Sequence, residues 1–251
     1  VLNQAGEQLL AGIEGPLAAI EQATTSVKEL NRWGQPWLRI GAATTVCQSF
    51  LPTVFSEISR EFSNLQLILE SGDMPDLVSK LRDHRIDLAI GVDCESHADL
   101  ESQTLFEDEL LFAISNLHAW NVSRALTRDE IRKQPLILYQ RTSPSSQLVM
   151  RYFAQCEITP AVSMEVSSVT AIKEMVRLNL GVSVLTPWVA DTELSRGQMI
   201  MRPLGTKALR RRWVVSHLKT RRLGLPEETF VRLCRNQATR LRKDRKDLPH
   251  K

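Results

Sequence analysis

Cysteine is scarce in this 251-residue chain, and the four present (Cys47, Cys94, Cys156, Cys234) form no C-x-x-C pair. Cysteines scattered in this way exclude a disulfide-stapled scaffold and read as reduced thiols that pack as small hydrophobes. Long apolar runs are missing too. The longest, Leu110–Ile114 and Leu136–Tyr139, fall far short of the roughly 20 residues a membrane helix needs. The first residues, Val1-Leu2-Asn3-Gln4-Ala5-Gly6, hold no basic region ahead of an apolar one, so no secretory signal is expected. They also lack an initiator Met, which suggests a fragment or a chain that has lost residues in front. G-x-S-x-G, H-E-x-x-H, G-x-G-x-x-G and P-loop motifs are absent, and the five histidines (84, 97, 118, 217, 250) are scattered. These absences predict no catalytic residues and no enzyme. The run Asp93-Cys94-Glu95-Ser96-His97-Ala98-Asp99 holds metal-ligand types, but its spacing fits no standard zinc pattern, so no metal is expected.

What is present suits a globular α/β protein: 43% hydrophobic residues, 24% charged, and a net charge of +3. The charge is uneven. Residues 207–251 carry 15 Lys and Arg against 4 Asp and Glu, whereas residues 1–206 are net acidic. A basic end reads either as a solvated terminal helix whose cations suit the helix dipole or as a nucleic-acid contact.

Leu10, Ile13, Leu17, Ile20 and Val27 repeat at alternating three- and four-residue spacings, a heptad seam along a helix over residues 5–33 that needs a partner to be buried. Gly34-Gln35-Pro36 ends it. From Trp37 onward, strands and helices alternate. Strands are expected at Trp37–Ala43, Leu65–Ser71 and Asp87–Val92, with extended chain at Thr104–Ser115, and helices at Ser49–Phe62 and Asp76–His84. A second unit repeats the pattern with strands at Pro135–Tyr139, Val162–Val166 and Val182–Leu185 and helices at Ser146–Cys156 and Val169–Leu180, the latter closed by Gly181. Further strands at Met199–Arg202 and Trp213–Leu218 and a helix at Glu227–Arg242 complete the chain. This order predicts parallel sheets in two lobes. The expected division is residues 1–36 as a linker helix, 37–115 with 217–251 as one lobe, and 116–216 as the other.

Several segments in this order resemble LysR-type transcriptional regulators. Leu2-Asn3-Gln4-Ala5-Gly6-Glu7 resembles the family's join to its linker helix, and Leu38-Arg39-Ile40-Gly41 its first strand. Phe50-Leu51-Pro52, Asn64-Leu65-Gln66-Leu67, Leu77–Leu81 with Ile86-Asp87-Leu88-Ala89-Ile90, and Val176–Pro187 match later segments, with Asn64 where Pro is common and His84-Arg85 where Gly is common. The resemblance implies a type II periplasmic-binding-protein-like fold, two α/β lobes with a cleft between them, entered by a linker helix. It implies a bacterial cytoplasmic regulator that senses a small molecule without a cofactor and forms a dimer, or a tetramer when full length. DNA would be bound through an N-terminal domain ahead of Val1, and no membrane contact is implied. It also places subunit contacts on two helices, with Leu51, Val54, Phe55, Ile58, Ile172, Met175 and Val176 as the apolar candidates.

In open parallel sheets, ligands bind beyond the carboxyl ends of the strands. Three hydroxyl-rich helix starts follow strands there, and helix N-termini offer free N–H groups to anions. The effector candidates are therefore Thr44, Thr45, Cys47 and Ser49; Ser143 and Ser145; and Ser167 and Ser168. Arg141 is added as the cation beside them and Asp93 as an acid beyond a strand end. Alternatives stay open: a solute-binding protein of the same fold, a redox sensor using Cys47 and Cys94, or direct DNA contact by the basic end.

Overall fold

In β1 (Trp37–Ala42), Leu38, Ile40 and Ala42 are fully buried. The computed structural model describes residues 37–93, 97–122 and 124–246, side chains from 242 on excepted, together with Asn3, Ala5, Gly6, Gly12, Ile13 and Ile20. Leu10, Leu17 and Val27 of the expected seam lie outside the described residues, whereas Ile13 and Ile20 are helical and exposed. β1 pairs in parallel with β2 (Gln66–Ser71) and β3 (Leu88–Val92). Between them run α1 (Thr44–Ser49), α2 (Leu51–Glu61) and α3 (Met74–Arg82).

The single helix expected at Ser49–Phe62 is two. α1 begins at Thr44, directly after the strand, and Phe50 joins it to α2 with its ring fully buried. Pro52 sits in the first turn of α2, where its missing N–H costs nothing. α3 likewise starts earlier than expected, because the Asp73 side chain accepts a hydrogen bond from Asp76 N at 3.2 Å and caps it.

The centre of the sheet departs from the all-parallel expectation. β4 (Leu100–Ser115) is one 16-residue strand and β9 (Leu209–Leu218) lies antiparallel along it, from Leu100↔Leu218 to Leu110↔Leu209. β9 also runs antiparallel to β3, and the far end of β4 runs antiparallel to β7 (Val182–Leu185) and β8 (Met199–Arg202). β5 (Pro135–Tyr139) pairs in parallel with β7 and β6 (Ala161–Val166). The strand order is β2-β1-β3-β9-β4-β7-β5-β6, with β8 paired to β4. Antiparallel neighbours need no crossover helix. The boundaries expected at 115/116 and 216/217 fall at the end of β4 and inside β9.

α4 (Arg128–Lys133), α5 (Pro144–Gln155), α6 (Val169–Arg177), a 3₁₀ turn at Pro187–Val189, α7 (Asp191–Ser195) and α8 (Leu225–Lys246) complete the chain. One core cluster gathers Leu38, Ile40, Phe106, Trp213 and Phe230, and a second gathers Phe112, Trp120, Tyr152 and Phe153. α8 closes over α2, with the Phe55 and Phe230 ring centroids 6.1 Å apart. Beneath β1, the buried Asp87 carboxylate accepts from Arg39 N and Nη2, both at 2.8 Å, and from Arg221, which also holds Glu227 of α8. Burial alone pushes this carboxyl up. The Arg39 hydrogen bonds and the Arg221 charge outweigh that and hold it below the usual carboxylate range.

Gly181 does not close α6. The helix ends at Arg177, and the left-handed residue beyond it is Asn179 (φ 58°), after which Leu180 N donates to Met175 O at 3.0 Å. Gly181 serves a close approach instead: a Cβ there would lie 2.7 Å from the Pro135 carbonyl oxygen. Among the described residues, no helix is long and apolar enough to cross a membrane.

Candidate functional site

The carboxyl ends of β1, β2, β5 and β7 converge on a cavity of about 300 Å³, at the small end of the range of ligand pockets. Thr44 and Thr45 follow β1, Asp73 follows β2, Ser143 and Ser145 follow β5, and Thr186 follows β7. Met74, Leu110, Leu138, Val149 and Leu185 supply apolar wall. β9 crosses the cavity and contributes Arg211 and Trp213.

Arg211 is the cation of the cavity. It stands directly opposite Asp108 on β4, and the two side chains form a buried fork, Nη2 to Oδ2 at 2.6 Å and Nε to Oδ1 at 3.0 Å. Their side chains are 6% and 0% exposed. Trp188 Nε1 donates to Asp108 Oδ2 at 3.0 Å, so the acid is itself held, and the guanidinium lies 5.0 Å from the centre of the Trp213 ring. Arg211 Nη1 donates to Ser145 Oγ at 2.6 Å. Of the five N–H donors of a guanidinium, these contacts use three, leaving two for a ligand.

α5 aims its N-terminus at the same space. Ser143 caps it by accepting from Ser146 N at 3.2 Å, and Ser146 Oγ donates to Tyr139 O at 2.7 Å, which fixes the turn from strand to helix. Two polar atoms of the cavity-lining residues, Thr186 Oγ1 and Trp213 Nε1, are buried without a hydrogen-bond partner. Such atoms are costly unless a partner arrives. Asp108 offsets Arg211 and Asp73 adds an acid on the β2 side, so the cavity attracts through directed donors around Arg211 rather than through net positive charge, which suits a small ligand carrying one anionic group and an apolar body.

Thr44, Thr45, Ser143 and Ser145 thus come together, and the other expected effector residues do not. Arg141 is exposed and points away, paired with Glu165 through Nε at 3.1 Å. Asp93 pairs with Arg212 at 2.7 Å in a neighbouring hollow. Ser49 is exposed at the far end of α1, Ser167 is exposed ahead of α6, and Ser168 caps α6 by accepting from Ala171 N at 3.3 Å. Cys47 lies behind the cavity, its Sγ 3.4 Å from Ala42 O; burial pushes its thiol up to about 11, so it stays protonated. Cys94, its expected redox partner, lies outside the described residues. No group of metal-ligating side chains occurs among the described residues.

Reasoning from sequence missed Arg211, Asp108, Trp188 and Trp213. The available signal was Asp108 at a buried-phase position of a strand, between Phe106 and Leu110. The apolar helix faces expected at a subunit contact are used inside the chain. Leu51, Val54, Ile58, Ile172 and Val176 are fully buried in its own core, with Phe55 and Met175 half-buried beside them. These five have no surface left to give a second subunit, whereas Phe55 and Met175 keep part of theirs.

The family described as the LysR substrate binding domain matches residues 34–239. The HTH-type transcriptional activator CmpR of Synechocystis is 22% identical over 92% of this chain and 75% of that protein. Among solved structures, the Synechocystis CcmR regulatory domain in complex with 2-PG superposes with a TM-score of 0.73, at 20% identity, over 80% of this chain and 97% of that one. The effector-binding domain of QuiR in complex with shikimate gives 0.69, at 17% identity, over 82% and 98%. The fold is therefore the type II periplasmic-binding-protein-like fold of these domains.

Proposed function

Because the chain belongs to the LysR substrate-binding-domain family, we propose that it is the effector-sensing and oligomerisation part of a bacterial transcription regulator, with Arg211, Thr44, Thr45, Ser143 and Ser145 receiving a small anionic molecule. The observation that carries the reading is Arg211, a buried cation with two unused donors at the convergence of four strand ends. CcmR and QuiR were each solved with a small molecule, which supports a ligand of modest size.

In this reading the lobes are residues 37–115 with 217–251, and 116–216, joined through β4 and β9. The effector binds one arrangement of them more tightly and shifts the population towards it. No chemical step, cofactor or metal is required, and the protein is a sensor rather than an enzyme. It works as a homo-oligomer in the cytoplasm, where the DNA is, with DNA contact assigned to a separate domain, as the HTH-type name of CmpR supports.

A thermal-shift screen against small carboxylates and phosphate esters tests the reading. A hit at 100 times its dissociation constant adds about 2.7 kcal/mol of stability. Thr44→Val or Ser145→Ala is expected to abolish that gain. A panel without a hit, or hits indifferent to both substitutions, would contradict the assignment of the cavity.

A further inference from the structure

Asp73 and Arg211 are the two charged side chains among the described residues that line the cavity. Asp73 follows β2 and Arg211 lies on β9, and the order β2-β1-β3-β9 puts two strands between them. Three strand spacings separate the two chain positions by about 14 Å across the sheet. The charges therefore stand at opposite ends of the cavity, with Met74, Val149 and Leu185 supplying apolar wall.

The two charges are in different states. Arg211 is offset by Asp108 at 2.6 Å and keeps two donors unspent. The acids next to Asp73 are offset as well: Lys80 holds Asp76 at 2.9 Å, and Lys80 and Arg85 hold Glu70 at 3.1 and 3.2 Å. Asp73 itself caps α3, its Oδ1 accepting from Asp76 N at 3.2 Å, and it has no cationic partner among the described residues. After these pairings Asp73 is the one lining charge left without its opposite, and it makes the cavity net negative. A ligand that is only an anion meets this carboxylate uncompensated. A ligand with a cation at its far end offsets it, and the apolar wall suits the chain between the two charges.

We propose that the effector is an ω-amino acid, whose carboxylate takes the unspent donors of Arg211 and whose ammonium group pairs with Asp73. The proposal rests on the reading of this cavity as the effector site and names the class of molecule that fills it. An α-amino acid carries both charges at one end and reaches only one of the two side chains. Asp73 is exposed, which sets the size of the effect: a solvated ion pair changes affinity by about three- to fivefold.

The test is calorimetric titration of the chain, at matched ionic strength, with three molecules of equal carbon count. These are 6-aminohexanoate, hexanoate, which lacks the amine, and L-norleucine, which carries it beside the carboxylate. 6-Aminohexanoate is expected to bind about three- to fivefold more tightly than either of the others. Asp73→Asn removes the charge and keeps the cap, because Asn caps a helix as well as Asp does. In that variant 6-aminohexanoate should lose its advantage, while hexanoate binds as tightly as before or more so. Damage to α3 would instead weaken all three alike. Asp73→Ser, a second uncharged cap, should repeat the result. Ser145→Ala, which acts on the Arg211 end, should abolish binding of all three. Hexanoate or L-norleucine binding as tightly as 6-aminohexanoate, or an advantage that survives Asp73→Asn, overturns the proposal; if Ser145→Ala still abolishes binding, the reading of the cavity stands without it. Binding indifferent to Ser145→Ala contradicts that reading as well. No saturable binding of 6-aminohexanoate overturns the proposal outright.

Discussion

Asp108 and Arg211 are 103 positions apart and directly opposite each other in the β4–β9 ladder, where their side chains close a buried fork at 2.6 and 3.0 Å. The pair lies where β9 crosses the cavity, so it serves the core and the site at once. Asp108 holds the guanidinium in place, with its charge offset but two of its donors unspent.

Breaking that pair from one side should be expensive. Arg211→Met leaves a carboxylate that is wholly buried and has only Trp188 as donor, and is expected to cost about 3–5 kcal/mol in urea unfolding. Asp108→Leu combined with Arg211→Met should lose less than the sum of the single changes, because no orphan charge remains. Additive losses would show that the two side chains do not act as a pair.

The Asp87 cluster predicts acid sensitivity of a definite sign. A carboxyl more acidic in the folded state stabilises the protein above its unfolded pKa, about 3.9, and that contribution vanishes as pH falls through the lower folded value. Burial opposes the shift, but Arg39 and Arg221 prevail. Denaturant unfolding from neutral pH downward should show stability falling below about pH 4, and Asp87→Asn should be less stable at neutral pH with a shallower acid limb. An unchanged acid limb would remove Asp87 from the account.

Asn179 and Gly181 should respond in opposite ways. Asn179 already holds φ 58°, so Asn179→Gly is expected to be nearly neutral. Gly181→Ala places a methyl group 2.7 Å from the backbone oxygen of Pro135 and should cost about 1–3 kcal/mol, read as a lower melting temperature. A harmless Gly181→Ala would show that the close approach to Pro135 does not constrain that position.

Much of the fold was legible because burial imposes a period. Leu38, Ile40 and Ala42 alternate as a strand must, and Leu77, Val78 and Leu81 recur as a helix face must. The break at Phe50 was not legible, because Phe50 and Leu51 continue the apolar face without a gap. The antiparallel centre was not legible either, since local periodicity carries no register between strands separated by a hundred residues.

The site divided along the same line. Thr44, Thr45, Ser143 and Ser145 could be named because strand ends and helix starts are local features. Arg141 reads as the candidate cation because it adjoins a hydroxyl loop, whereas Arg211 lies in the basic run Arg210-Arg211-Arg212, which reads as surface. Alternation on β9 turns the middle arginine inward and the outer two outward, and Asp108, opposite it, makes that burial affordable. The apolar helix stripes show the same limit: a stripe looks alike in sequence whether it faces its own core or another chain, and five of the seven residues face the core here.

The most direct test of the central claim is the Nε–H resonance of Arg211, assigned by its loss in Arg211→Lys and followed while a hit from the thermal-shift screen is added. The account predicts that the Arg211 resonance moves with the same saturation as the stability gain, while that of Arg141, on the outside with Glu165, stays still. Saturable binding that leaves Arg211 unmoved would contradict it and place the ligand elsewhere on the protein.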